Sequence, residues 1–317
     1  MVTIHSGFKQ KRVLVAGDFM LDRYTLGTCK RISPEAPVPI VAVDREEEKA
    51  GGAGNVVLNL ISLGMNAIPF GRVGDDHAGS ALIDHFQAEG VDTRYLVKEK
   101  GFQTPLKVRL IASSQQLLRV DFEKPKGISQ ETEELLLKQI PDMLADIDLV
   151  AISDYAKGFL TAKILSKLIE EAKKRSLIVI SDPKGIDFTK YAGSTILKPN
   201  LSEALAQAPG ISDLATVAQL VFSRVPLDVL MITRSEAGIS LFYPGGKQED
   251  HPVQPREVKD VTGAGDTVLA TLSAALANKY SLGDATQLAN IAAQIAVSRL
   301  GCARVTCAEI ASFYTHD

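Results

Sequence analysis

The chain contains no tryptophan and only three cysteines, Cys29, Cys302 and Cys307. An odd, small count without a Cys-x-x-Cys pair or a His-Glu-x-x-His argues against a disulfide framework and a zinc site. It points to reduced thiols and a cytoplasmic protein. No run of Lys or Arg forms a stripe, and the net charge is −3, so neither nucleic acid nor an anionic membrane is expected as a partner. Residues 1–10 lack the apolar region of a signal peptide. The first apolar run, Val13-Leu14-Val15-Ala16, is far too short to span a bilayer. Charged residues at 23% and apolar residues at 45% of 317 positions exclude disorder and allow a sizeable core. With so little positive charge, an anionic ligand must be held by local groups such as helix N-termini and a few placed cations.

What is present alternates. Short Val/Ile/Leu-rich runs at 13–17, 67–71, 149–153, 178–181, 195–197 and 229–233 read as strands with both faces covered. Amphipathic stretches at 55–63, 80–89, 130–145, 162–174 and 215–223 read as helices, and the C-terminal third as helices at 264–278, 284–299 and a last turn from 308. The repetition predicts an α/β fold, a mostly parallel central sheet with helices on both faces. Two regions break the rhythm: 38–43, flanked by Pro37 and Pro39, and the pair 105–111 and 116–122 around Ala112-Ser113-Ser114-Gln115. They predict extended segments and a hairpin, a small β-sheet lid formed by about 23–44 and 102–122. A lid of this kind would exclude water from a reaction. The turn at 125–127 is the one linker-like spot, so the expectation is a single domain over 1–317 with a lid.

The strongest local signal is Asp260-Val261-Thr262-Gly263-Ala264-Gly265-Asp266-Thr267 before an apolar helix. Small residues at Gly263, Ala264 and Gly265 permit a sharp turn whose amides converge at a helix N-terminus, a site suited to phosphate oxygens. Fixed donors there lower the barrier to phosphoryl transfer. Asp266, in the first helical turn, is placed to accept a proton from an attacking hydroxyl. The alternative reading is a simple helix cap. A dinucleotide fingerprint is discounted because the third glycine is missing and no acidic ribose partner follows. Gly245-Gly246-Lys247 is followed by Gln248 and is no P-loop. A second Gly-rich turn, Ala50-Gly51-Gly52-Ala53-Gly54-Asn55, also enters a helix, with Asn55 either a ligand or a cap.

The two turns in this order resemble the PfkB/ribokinase family of carbohydrate kinases. The segments Gly71-Arg72-Val73-Gly74-Asp75-Asp76, Lys198-Pro199-Asn200-Leu201-Ser202-Glu203 and Thr233-Arg234-Ser235-Glu236-Ala237-Gly238 match as well. The likeness runs from about residue 10 to 312. Three longer segments, at 17–24, 31–39 and Ser153-Asp154-Tyr155-Ala156-Lys157-Gly158, resemble the branch that phosphorylates the anomeric hydroxyl of D-glycero-β-D-manno-heptose 7-phosphate. That step leads to ADP-heptose for lipopolysaccharide. Many members of the branch continue into an adenylyltransferase, whose motif is missing here, so a stand-alone kinase is expected. A kinase of another sugar, sugar phosphate or nucleoside is the alternative. A non-catalytic sugar or nucleotide sensor is a further one, opposed by the intact Asp266.

The resemblance implies a ribokinase-like fold, ATP with Mg²⁺, and a monovalent cation as a possible further requirement. It implies Asp266 as base beside Gly263, Ala264 and Gly265. Asn200, Leu201, Ser202, Glu203, Thr233, Arg234, Gly238 and Asn290 would serve the nucleotide, and Asn200 and Glu203 the metal through water. Asn200-x-x-Glu203 also has the pattern of a capping box. Asp22, Gly51, Gly52 and Asn55 would bind sugar hydroxyls. Asp154 and Lys157 follow a strand at its carboxyl edge, where ligands bind in open α/β sheets. A substrate already bearing phosphate needs cations, for which Lys107, Arg109, Arg119, Lys157 and Arg31 are candidates. Lys107 and Arg109 share a strand face, although edge strands also carry such charges against aggregation. The apolar strip at 38–43 predicts a homodimer through the lid.

Overall fold

A computed structural model describes residues 7–113, 115–124, 126–254 and 257–313. Ser114 of the expected hairpin turn, Pro125 of the linker-like turn and most of the 1–10 stretch lie outside the described residues. From the N-terminal side, β1 (Arg12–Gly17) leads into two long strands, β2 (Phe19–Ile32) and β3 (Pro39–Gly52). Then come α1 (Ala53–Ser62), β4 (Asn66–Gly74), α2 (His77–Ala88) and β5 (Leu96–Glu99). A hairpin, β6 (Leu106–Ala112) and β7 (Gln115–Phe122), precedes α3 (Gln130–Met143), β8 (Leu149–Ser153), α4 (Ala162–Lys174) and β9 (Ile178–Asp182). Next are β10 (Ile196–Leu197), α5 (Leu201–Leu205), α6 (Leu214–Arg224), β11 (Val229–Thr233), β12 (Ile239–Phe242) and β13 (Gln248–His251). The helices α7 (Ala264–Ala277), α8 (Leu282–Val297) and α9 (Cys307–Ser312) follow.

Nine strands form one sheet in the order β13-β12-β11-β10-β9-β8-β1-β4-β5. It is parallel from β5 to β11; β12 pairs antiparallel with β11, and β13 antiparallel with β12. Strand side chains alternate between faces, and both faces are dry. Val13 and Val15 pack with α1, α7 and α8, whereas Leu14 and Ala16 pack with α3 and α4. This explains the near-continuous apolar runs. Gly245 and Gly246 lie in the β12–β13 hairpin turn.

The second sheet has four strands in the order β3-β2-β6-β7, with β2 and β6 parallel. Its strands exceed the expected lid segments: β2 starts at Phe19, immediately after β1, and β3 runs through to Gly52 at the start of α1. The run Glu46-Glu47-Glu48 hides this strand in the sequence, because acidic residues disfavour strands. Cross-strand partners compensate. Arg23 donates to Glu48 at 2.6 Å and the Thr25 hydroxyl to Glu46 at 2.8 Å. The smaller sheet is thus joined to the larger one at Gly17–Phe19 and at Gly52, beside the N-terminus of α1.

Candidate active site

The two glycine-rich turns meet. Gly263 caps α7 in the left-handed region at φ 77°, and a Cβ there would lie 2.5 Å from the Asn55 amide nitrogen. Only glycine combines that backbone with that approach. Asp266, in the first turn of α7, is buried and does not cap the helix, whose start has no side-chain cap. Its Oδ2 instead accepts from Asn55 Nδ2 at 3.0 Å, and its Oδ1 from the Tyr155 hydroxyl at 2.7 Å. Asn55 is likewise no cap, since Gly52 occupies that position in α1. Its Oδ1 accepts from Asn59, whose own Oδ1 accepts from the Val305 amide, so the Asn55 amide is oriented toward Asp266. Burial lifts the Asp266 carboxyl to about 7, against the lowering effect of the Asn55 and Tyr155 hydrogen bonds.

Tyr155 comes from the loop after β8, and buried Asp18 builds that loop. Asp18 Oδ2 accepts from the Tyr155 and Lys157 amides, both at 3.0 Å, and Oδ1 from the Phe159 amide at 3.4 Å. Asp154 is turned into the same framework: it accepts from the Ala156 amide, from Lys190 Nζ at 2.6 Å and from the Tyr191 hydroxyl at 2.6 Å. Lys157 pairs with Glu123 at 2.6 Å. Its carbonyl accepts from buried Arg72, which also pairs with Glu99 at 2.6 Å and lies over Phe102. The Gly71–Asp76 motif therefore supports the loop from below.

On the smaller sheet, Asp22 of β2 is the register partner of Lys49 on β3 and of Lys107 on β6, so the three side chains stand in one row on one face. Arg109, two residues beyond Lys107, is buried and ion-paired with Asp22 at 2.5 Å. Gly51 is required beside them, because a Cβ would lie 2.2 Å from Asp22 Oδ2. Lys107 Nζ sits 5.9 Å from the Tyr155 ring centroid, and Lys49 Nζ 5.3 Å from that of Tyr24. Arg119 pairs with Asp121 at an exposed position, and Arg31 is exposed. Among the described residues, Lys107 and Lys49 are the cations of this row without an acidic partner.

Across α7 lies a cleft of about 560 Å³, lined in part by Thr233, Gly238, Ala264, Gly265, Val268 and Asn290, a volume suited to a small cofactor. Asn200 also borders it. Leu201, Ser202 and Glu203 do not, and Asn200 and Glu203 form a capping box at the start of α5. Asn200 Oδ1 accepts from the Glu203 amide, Glu203 Oε2 from the Asn200 amide, and Glu203 Oε1 pairs with Lys184 at 2.7 Å. Arg234 folds away onto Asp250 and the Ala237 carbonyl. Asn290 lines the cleft while donating to the His251 carbonyl. Beside Gly265 stands a pair that sequence reasoning missed, buried Lys198 and half-buried Asp182 at 2.8 Å. Lys198 opens a quoted motif at the carboxyl edge of β10. A lone lysine ending an apolar strand was the available signal. No group of three His, Cys, Asp or Glu placed for a metal occurs among the described residues.

This is a ribokinase-like α/β architecture with a buried carboxylate at a glycine-lined helix N-terminus, between a cleft and a smaller sheet. Solved structures share the fold. Phosphofructokinase-2 from Escherichia coli in complex with potassium superposes with a TM-score of 0.78 at 18% identity, covering 97% of this chain and 99% of that one. Ribokinase from Arabidopsis thaliana complexed with ribose and ATP does so with a TM-score of 0.72 at 19% identity, covering 96% and 99%. The family model for pfkB family carbohydrate kinases matches residues 10–308; the chain belongs to that family and is a carbohydrate kinase. Among curated relatives, the bifunctional protein HldE of Trichlorobacter lovleyi is 45% identical over 304 residues, covering 94% of this chain and 62% of the relative. HldE of Halorhodospira halophila is 44% identical over 307 residues, covering 96% and 63%. The chain thus spans about three fifths of the length of these relatives. No helix among the described residues is long and apolar enough to cross a membrane.

Proposed function

We propose that the chain transfers the γ-phosphoryl group of ATP to the anomeric hydroxyl of D-glycero-β-D-manno-heptose 7-phosphate, giving the 1,7-bisphosphate in the cytoplasm. The carrying observation is the buried Asp266, oriented by two donors beneath a sheet face that presents Lys49 and Lys107. A general base works best with a pKa near the operating pH, and burial gives Asp266 one. The cleft beyond Gly265 fits a nucleotide. Amides at Gly263–Gly265 would hold the transferring phosphate, and Lys198 stands close by. ATP supplies the phosphoryl group. Mg²⁺, which keeps much of its hydration shell, would reach Asn200 and Glu203 only through water.

In this reading the chain's own residues orient the sugar at Asp22, Gly51, Gly52 and Asn55, and Asp266 takes the proton of the attacking hydroxyl. The unpaired Lys107 and Lys49 meet the distant phosphate, a role for which Arg109 and Lys157 are less free. Identity with the HldE relatives supports the heptose branch, as do the segments at 17–24, 31–39 and 153–158. Exposed Ile32, Val43, Leu118 and Phe122 on the smaller sheet, with Val38 just before β3, support a homodimer through it, which a monomer mass by light scattering at micromolar concentration would contradict. The deciding test of substrate is a panel of free and phosphorylated sugars with ATP–Mg²⁺, read by ADP release and phosphorus NMR. Heptose 7-phosphate should give a new anomeric phosphate. Preference for an unphosphorylated sugar would sink the reading.

A further inference from the structure

Both oxygens of Asp266 are already engaged in the folded chain, Oδ2 by Asn55 and Oδ1 by Tyr155. Each carboxylate oxygen has a second lone pair, so the two donors fix the carboxyl plane and still leave room for a proton from an incoming hydroxyl. A loop that merely joined β8 to α4 would need none of the construction seen around Tyr155. Three alternate amides, of Tyr155, Lys157 and Phe159, converge on one buried aspartate, Asp18. Ala156 is held at φ 56°, a conformation that costs free energy for a residue with a Cβ. Arg72 fastens the loop through the Lys157 carbonyl. The strain and the anchors hold the phenol 2.7 Å from Asp266.

We propose that Tyr155 is a positioning residue for the base: its hydroxyl fixes the Asp266 carboxyl in plane and favours its ionised form, and its ring carries that arrangement to Lys107 on the smaller sheet. The proposal rests on the reading of Asp266 as the base. The groups facing the pair are Lys107 from β6, Asp182 from β9, Lys198 after β10 and Cys302 from the loop before α9. The phenol itself stays protonated, because burial and the neighbouring Asp266 charge raise it well above its usual range. It therefore acts as a donor only and lowers the base's proton affinity. A residue that only packed would leave that affinity unchanged.

The test is a carboxyl-carbon NMR titration of the ligand-free protein, with the Asp266 resonance assigned by its loss in Asp266→Asn. Tyr155→Phe should raise the midpoint from near neutrality by about one pH unit, the worth of one hydrogen bond to a charged group. Fluorotyrosine at 155, a stronger donor of nearly the same shape, should lower it. An identical midpoint in all three proteins overturns the proposal, whatever their activity. The paired kinetic test measures ADP release with ATP–Mg²⁺ and heptose 7-phosphate. The acid limb of kcat/KM should follow the same order, with KM for ATP unchanged. Full turnover by Asp266→Asn would instead defeat the base reading, and the titration would still decide on Tyr155.

Discussion

Asn55 and Asp266, 211 residues apart in the chain, meet through a 3.0 Å hydrogen bond. The contact joins the N-termini of α1 and α7, one continuous with the smaller sheet through Gly52, the other bordering the nucleotide-sized cleft. A single carboxylate thus senses both sides of the site. Replacing it by Asp266→Asn keeps the volume and removes the proton acceptor. Turnover should fall by at least about 10²-fold, the usual contribution of a positioned base, while ATP affinity by calorimetry stays within a few-fold. Loss of ATP binding in step with activity would mean that the residue builds the cleft and is not a base.

Stability should report the same group. The folded Asp266 carboxyl is raised to about 7 from its ordinary value of 3.8. Between those values the folded state holds a proton that the unfolded state has released, so stability falls as pH rises through this window. The penalty is absent below about pH 4 and complete above about pH 7, where it amounts to roughly 4 kcal/mol at most. Asp266→Asn cannot titrate. In urea unfolding its stability relative to the wild type should therefore increase from pH 5 to pH 8. A constant difference across that range would show that the carboxylate is not held in a desolvated site.

The Asp22–Arg109 pair is buried on both sides, and breaking such a pair leaves one charge uncompensated. Arg109→Ala should cost about 3–5 kcal/mol in chemical denaturation. The double variant Asp22→Asn, Arg109→Met should recover a good part of that loss, because it removes both charges together. Additive losses would show that the two side chains act independently. The pair also explains why Arg109, which shares a strand face with Lys107, is the less available cation.

Six strands of the larger sheet were legible because covered strands are apolar in their interiors, as in β1, β8, β9 and β11; β5 and β13, which carry charged residues, and the four-residue β12 were not anticipated. The long β2 and β3 were legible only in part. Their pairing depends on cross-strand partners such as Arg23 and Glu48, which no local pattern displays. Gly263 and Asp266 stood out because a glycine turn entering an apolar helix is a local feature. Tyr155, Asp18 and Lys198 did not stand out. Each acquires its role from a residue more than sixty positions away, or from a backbone bend that the side chains alone do not encode. The acidic partners of Arg109 and Lys157, 87 and 34 positions away, lie on other elements and are not displayed by any local pattern, so cations equivalent in sequence proved unequal in space.

That inequality predicts which lysines read the substrate. Lys49 and Lys107 flank Asp22 in one row, and neither has an acidic partner among the described residues. Each is placed over an aromatic ring, Tyr24 and Tyr155 respectively, a contact that supports a cation without neutralising it. Loss of one charge-assisted contact to phosphate is worth about 1.5–3 kcal/mol, or roughly 10–100-fold in affinity. Lys107→Ala and Lys49→Met should each raise KM for a phosphorylated sugar by about that factor and leave KM for ATP nearly unchanged. The lysine that meets the phosphate should lose its effect on an unphosphorylated analogue of the same sugar. Equal rises in both KM values would place the lysines in the closure of the smaller sheet over the site, and not in recognition of the substrate's phosphate.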